Sequence, residues 1–426
     1  MTSARNERVS PPRKHPSVRR SIVKNTQPLS IGLLIALVGF PQISETIYTP
    51  ALPNVASGLG ASAYLVEATL AIYFLGFAFG VLLWGTISDG YGRRPAMLMG
   101  LMIYGMGTMA CANVGSVEAL LAWRFLQAFG ASVGSVITQT MLRDAYEGAK
   151  RSQLFAVMSG ALAFSPAIGP LLGGFISEFL GWRANFWMLT MLSLVLGLWS
   201  FFSLPETRPK HIERLSVGKI CRLFIDMMSS RVLWGHILLI GATNGILFGF
   251  YQEAPFVFIE QLGMPPSYYG CFGLLIAAAT ILAARISYSQ SHRLSSQQMI
   301  LCGATSVLLG SFLFTLTIIM GIFDVKILGL VIAITTLFVV FFGVGLIIPN
   351  SLSHALKPYQ MVAGTAGSIF GGCYYCLIAG FTWVMGMLHN GTVLPLPLYI
   401  VALGLVLACG SHMIQLPQER TQKIES

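Results

Sequence analysis

Three charged residues stand where charge is expensive. Glu45 lies inside an apolar run from Leu29 to Leu52. Arg124 sits in a second run, 117–141, and Glu253 interrupts a third, 232–257. A charged side chain at the centre of a membrane helix costs about 2.5–3.5 kcal/mol on insertion scales, and such residues usually mark a functional path. A carboxylate can carry a proton, whereas a guanidinium keeps its charge. Glu45 and Arg124 each lie about seven residues from the same end of their runs, which is about 10 Å at 1.5 Å per residue. They therefore share one level. Two readings of Glu45 stand open: it takes up and releases a proton, or it forms a fixed ion pair with Arg124. Arg124 has its own alternative, a packing role against backbone carbonyls of the first or second run. Pro41 and Pro50 flank Glu45 and predict a bend.

Glu253, with Gln252 and Pro255 beside it, is expected to face the same region from the other half of the chain. It reads as a second proton site or a cation contact, or as an interfacial glutamate that reaches water. Tyr48, Tyr73, Gln127, Gln139, Asn244, Gln252 and Tyr374 are polar candidates for the wall of a central cavity. The 19 methionines and 27 phenylalanines would give that wall an adaptable apolar surface, or would simply face lipid. Glu67 and Glu118 fall at span ends and are expected to be solvated.

The elements that must position these residues follow from composition. The 426 residues are 55% hydrophobic and 10% charged, with a mean hydropathy of +0.72. Soluble domains carry about 25% charged residues. Apolar runs of some twenty residues, each enough for a bilayer core of about 30 Å, predict twelve helices: 28–52, 64–88, 95–113, 117–141, 153–177, 184–204, 232–257, 267–288, 297–320, 327–349, 362–388 and 397–415. With both termini cytoplasmic, 23 of the 26 Lys and Arg fall on the inner side and two, Arg183 and Lys326, on the outer. This bias sets topology and accounts for the +10 net charge without nucleic acid. The expected organisation is a basic tail (1–27), a six-helix bundle (28–204), a central cytoplasmic loop (205–231), a second bundle (232–415) and a tail (416–426). Within the loop, "SVGKICRLFIDMM" reads either as a helix along the inner membrane surface or as a solvated linker. The seven cysteines show no metal-binding spacing, and no metal or cofactor is expected. No nucleotide-binding motif, dinucleotide fingerprint or nucleophile elbow appears, so the sequence does not read as an enzyme. Uphill transport would draw on an ion gradient, worth about 2.3 kcal/mol per charge per 100 mV.

Four stretches carry a resemblance. "GTISDGYGRRP" (85–95), with Asp89, Arg93 and Arg94, resembles the loop signature of the major facilitator superfamily. "RFLQAFGAS" (124–132) and "SPAIGPLLGG" (165–174) resemble its fourth- and fifth-span motifs, the latter that of proton-driven antiporters. "IYTPALP" (47–53) and "APFVFIEQLGMPPSYYG" (254–270) resemble the bicyclomycin-resistance (Bcr/CflA) drug exporters. The chain departs from the pattern at Ser165-Pro166, at a degenerate loop after span 8 (284–296), and at Glu45, where aspartate is expected.

The resemblance implies an all-α major facilitator fold, with twelve helices in two six-helix bundles with inverted repeats. It implies proton-coupled export of small amphipathic molecules, with Glu45 and Glu253 as coupling carboxylates. The site would include Arg124, Tyr48, Tyr73, Gln127, Asn244, Gln252 and Tyr374. Asp89, Arg93 and Arg94 would form a cytoplasmic gate. Gly160, Pro166, Gly169, Pro170, Gly173 and Gly174 would make a smooth, bent face between the bundles, packed on span 11 or span 8. The glycines of "SIFGGCYYCLIAG" (368–380) would supply the matching face. The expected setting is a bacterial inner membrane, the expected partners are substrate, protons and lipid, and the expected state is a monomer. A dedicated metabolite or siderophore exporter, a nutrient importer, and a membrane sensor or scaffold remain as alternatives.

Overall fold

Long apolar segments in this chain repeatedly begin at a serine whose hydroxyl accepts a backbone N–H of the first turn: Ser30, Ser62, Ser116, Ser230 and Ser295. Each satisfies a donor that a helix N-terminus leaves free. The structure, a computed structural model, describes residues 29–209, 217–322 and 325–415. The expected tails, 1–27 and 416–426, lie outside the described residues, as does the side chain of Pro166.

Among the described residues the fold is helical throughout. The elements are α1 (Ile31–Thr46), α2 (Leu52–Leu59), α3 (Ala63–Tyr91), α4 (Arg93–Asn113), α5 (Val117–Ala145), α6 (Gly148–Leu180), α7 (Trp182–Ser203), α8 (Val217–Ser229), α9 (Arg231–Pro255), α10 (Pro266–Gly270), α11 (Phe272–Gln290), α12 (Ser296–Ile319), α13 (Lys326–Ala355), α14 (Ala363–Leu388) and α15 (Pro395–Gln415). Eleven segments are long and apolar enough to cross a membrane among the described residues. The 33-residue α6 is long enough to be the twelfth. The ends of α3 and α4 meet at Gly92, whose φ of 107° is open to glycine and strained for other residues.

Two predicted spans are interrupted, the first near Pro50 as its prolines predict. The first breaks after Thr46, passes through a 3-10 turn at Thr49–Ala51 and resumes as α2. Pro50 and Pro53, which have no N–H to donate, sit at this break. The seventh continues past Pro255 as a wide π-type turn, Phe256–Gln261. The central segment forms α8. Its Met227 is buried against Leu233, Ile237 and Phe370 while Phe224 and Ile225 remain exposed, so this stretch is a packed surface helix and not a solvated linker.

Helices α1 to α7 pack mainly on one another, and so do α9 to α15; α3 against α14, and α6 against α10 and α11, join the two sets. The fifth-span glycines divide between these two jobs. A Cβ on Gly169 or Gly173 would meet Thr46 and Ile47 of the first span. A Cβ on Gly174 would meet the backbone of Pro266 and Ser267. Adjacent residues on a helix point about 100° apart, whereas residues four apart share a face. Gly169 and Gly173 therefore serve contacts within the first set, which corrects the expectation that the whole motif lies between halves. The cross-half part is met by span 8: a Cβ on Gly270 would lie 2.6 Å from the Pro170 carbonyl oxygen, and one on Gly273 would lie 2.7 Å from that of Ala167. Span 11 is not the partner of this face. Its Gly371 and Gly372 pack against Val81 and Leu82 of α3. Gly160 has nothing within 4 Å of its would-be Cβ.

This division yields a prediction. Gly173→Ala should lower thermal stability by about 1–3 kcal/mol, the usual cost of overpacking, because its Cβ has no room beside the Ile47 carbonyl. Gly160→Ala in the same helix should be neutral or slightly stabilising. The fraction of purified protein that stays monodisperse after graded heating measures both. Equal melting of the two variants would contradict the assignment.

Candidate functional site

Arg124 is fully enclosed, with no exposed surface. Its position in α5 brings it between two aromatic faces, Tyr48 at 4.2 Å and Tyr73 at 4.1 Å from ring centroid to guanidinium carbon. A desolvated cation–π contact contributes about 2 kcal/mol or more. Arg124 Nη1 donates to Gln127 Oε1 at 2.7 Å, one turn along the same helix. Gln127 Nε2 donates in turn to Thr108 Oγ1 of α4 at 3.0 Å. The Tyr48 hydroxyl is fixed by Thr69 of α3 at 2.8 Å. The cation is thus held by rings and neutral acceptors.

Glu45 is 3% exposed, in the last turn of α1. It interacts electrostatically with Arg124. Yet no ion pair within 4.0 Å joins it to Arg124 among the described residues. The fixed ion pair between Glu45 and Arg124, one of the two readings of Glu45, is therefore not formed here. Around the two lie the buried hydroxyls of Ser44, Tyr73 and Tyr104, and Glu45 Oε1 and Arg124 Nε and Nη2 have no hydrogen-bond partner. An unpartnered buried polar group costs about 1–3 kcal/mol. Several in one place make a spot suited to exchanging protons or binding a polar group. From the other half, Tyr374 and Tyr375 of α14 come within electrostatic reach of Glu45. Tyr375 also packs on Phe77 (4.5 Å) and Phe74 (6.3 Å), and Phe74 packs on Phe248 of α9 (4.3 Å). An aromatic wall thus spans both halves beside the carboxylate.

Glu253 and Gln252 find partners other than Glu45 and Arg124. Both are buried at the end of the bundle where α3 begins and α14 ends. Glu67 joins them there. It is fully buried, so the expectation that it is solvated fails, whereas Glu118 is exposed as expected. Gln252 Nε2 donates to Glu67 Oε2 at 2.8 Å and to the Thr382 carbonyl at 3.0 Å. His389, one residue past α14, places Nδ1 2.9 Å from Glu253 Oε2 and 3.3 Å from Glu67 Oε1. These two carboxylates favour the imidazolium and push the His389 pKa up to about 10. Glu67 comes from the first set of helices and the other three residues from the second, so this polar cluster ties the halves together. Asn244 is half-buried and donates to the Ile240 carbonyl of its own helix at 2.9 Å. Gln139 is half-buried in α5.

At the opposite end of α3, about 33 Å from Glu67 by helical rise, Arg93 binds Asp89 at 2.5 Å and Asp144 of α5 at 2.9 Å. The backbone N–H groups of Arg93 and Arg94 donate to Glu206 at 2.9 and 3.1 Å. Arg94 also donates to the Phe201 carbonyl at 2.6 Å. This cluster thus braces α3, α4, α5 and the end of α7, all of the first set. Asp144, Glu206 and His389 escaped the sequence reading, and Glu67 was named there only as a solvated residue at a span end. Asp144 lies at a span end and Glu206 just beyond one, which was a detectable signal.

Residues 34–383 match the Major Facilitator Superfamily. The chain is 36% identical to an uncharacterized transporter of Rickettsia bellii over 85% of this chain and 90% of that one. It is 30% identical to a chloramphenicol resistance protein of Pseudomonas aeruginosa over 94% and 93%. A bicyclomycin resistance protein homolog of Haemophilus influenzae is 25% identical over 86% and 90%. In three dimensions it resembles a D-xylose-proton symporter with a TM-score of 0.73, at 14% identity, covering 91% of this chain and 98% of that one, a likeness of fold. The chain belongs to the Major Facilitator Superfamily, as a multi-pass membrane transporter.

Proposed function

We propose that this transporter exports small amphipathic molecules in exchange for protons, by alternating access, and that Glu45 is the carboxylate that carries the proton. The observation that carries this reading is the enclosed Glu45, beside Arg124 but not ion-paired to it, with its Oε1 unpartnered. A fixed structural pair would be expected in contact. A carboxylate that must alternate between charged and neutral needs a cation near enough to favour the charge and loose enough to let it go. The aromatic wall of Phe74, Phe77, Tyr374 and Tyr375 suits apolar, planar substrates. The resistance functions named for the Pseudomonas and Haemophilus relatives support export of such compounds. The charge bias supports cytoplasmic termini, and the bacterial relatives support an inner membrane as its setting. The cycle runs with proton uptake on Glu45 from the outside and release of substrate outward. Return to the inward-open state and loss of the proton to the cytoplasm complete it. The transporter works as a monomer.

Chloramphenicol transport in proteoliposomes with an imposed pH gradient tests the proposal. The parent should accumulate substrate uphill. Glu45→Gln should lose at least ten-fold of gradient-driven accumulation and keep substrate exchange without a gradient. Glu45→Asp should retain coupling. Equal uphill accumulation by the parent and Glu45→Gln would remove Glu45 from the coupling role.

Arg124→Lys should lower gradient-driven transport at least ten-fold although the charge remains. A lysine lacks the planar group that fits between two rings and the fork that reaches Gln127. Transport unchanged in Arg124→Lys would show that charge alone suffices there.

A further inference from the structure

The cluster of Glu67, Glu253 and His389 is unused by this reading and has a composition of its own. Two carboxylates and one imidazole offer ligand atoms that all lie within 4.8 Å of one another. Glu67 and Glu253 have no exposed surface, while the His389 side chain is 15% exposed and opens a way in. Tetrahedral bonds of about 2.0–2.1 Å set donor atoms about 3.3 Å apart. The Nδ1 separations of 3.3 and 2.9 Å lie within a few tenths of an ångström of that spacing.

The hydrogen bonding points the same way. Glu253 Oε1 and Gln252 Oε1 are buried acceptors with no hydrogen-bond partner, and Glu67 Oε1 has only the 3.3 Å contact with His389 Nδ1. Each carboxylate uses its second oxygen elsewhere: Glu67 Oε2 accepts from Gln252, and Glu253 Oε2 pairs with His389. Gln252 is itself anchored on the Thr382 carbonyl. It orients the Glu67 carboxylate as outer-shell partners orient ligands at metal sites. A residue set with two lone acceptors, and one imidazole proton shared by two carboxylates, is richer in acceptors than its hydrogen bonds can use. A divalent ion neutralises both carboxylates and takes the place of the proton on Nδ1. The imidazole favours transition metals over magnesium and calcium, which prefer all-oxygen sets.

We propose that Glu67, Glu253 and His389 form a site for one divalent transition-metal cation of the Zn²⁺ class, with Gln252 as a positioning residue. The ion binds Glu67 from the first helix set and Glu253 and His389 from the second, so it staples this end of the bundle closed. This site stands independently of proton coupling through Glu45.

The test uses the purified full-length chain in detergent, stripped with a chelator and titrated with ZnCl₂ by calorimetry, with thermal unfolding followed in parallel. The parent should bind one tight equivalent of Zn²⁺ and gain unfolding temperature, since a ligand that binds the folded state stabilises it. Mg²⁺ at the same concentration should do neither. His389→Ala and Glu253→Gln should each weaken the tight equivalent at least ten-fold and abolish the thermal gain. Glu67→Gln, which is nearly isosteric, carries the test if a larger change impairs folding. Glu118→Gln, at an exposed position, should leave both readouts unchanged. A parent without zinc-dependent stabilisation, or a tight equivalent that persists in His389→Ala and Glu253→Gln, would overturn the site and leave a hydrogen-bonded latch.

Discussion

A guanidinium inside a membrane protein cannot shed its charge, so the structure around Arg124 must tolerate a permanent cation. Two tyrosine faces, one glutamine and no direct carboxylate do this. The arrangement fixes much else. Tyr48 lies just past the end of α1 and is tied to Thr69 of α3. Tyr73 projects from α3, and Gln127 reaches Thr108 of α4. One charge thus organises the meeting of α1, α3, α4 and α5. Because rings and one amide hold the cation without a carboxylate, Glu45 is left free beside it. The proposed proton exchange depends on that freedom.

The second organising feature is where small residues allow backbones to touch. Without a hydrophobic drive between helices in lipid, close packing and interhelical hydrogen bonds carry association. Gly169 and Gly173 dock α6 on the first span, while Gly174, Gly270 and Gly273 let α6 meet span 8 across the halves. At the Glu67 end the cross-half contact is polar, through Gln252 and His389. Along α3 and α14 it is aromatic and small-residue packing. Polar contacts at one end and smooth apolar contacts along the length suit two halves that move relative to one another.

Much of this was legible in the sequence, for identifiable reasons. Twelve apolar runs show where helices must lie, because a spanning segment must satisfy its own backbone. Glu45 and Arg124 stand out because a charge amid apolar residues has few explanations. Their relation did not follow: equal depth is not contact, and the tyrosines that separate roles come from other helices. Glu67 misled because it sits in the first turns of a span, where water is the default partner. Its burial depends on α9 and the end of α14, some 185 and more residues away. His389 falls just beyond the expected end of a span and carried no motif. The glycine motif gave the right helix but one face too few, since a linear pattern does not say which neighbour each face meets.

The account turns on Glu45 changing its protonation state within the folded protein. Infrared difference spectra of the protein in lipid, recorded between acidic and alkaline pH, measure this without a substrate. A protonated-carboxyl component present in the parent and lost in Glu45→Gln is the predicted result. A spectrum identical in the two proteins would mean that Glu45 keeps one state throughout, and would contradict the account.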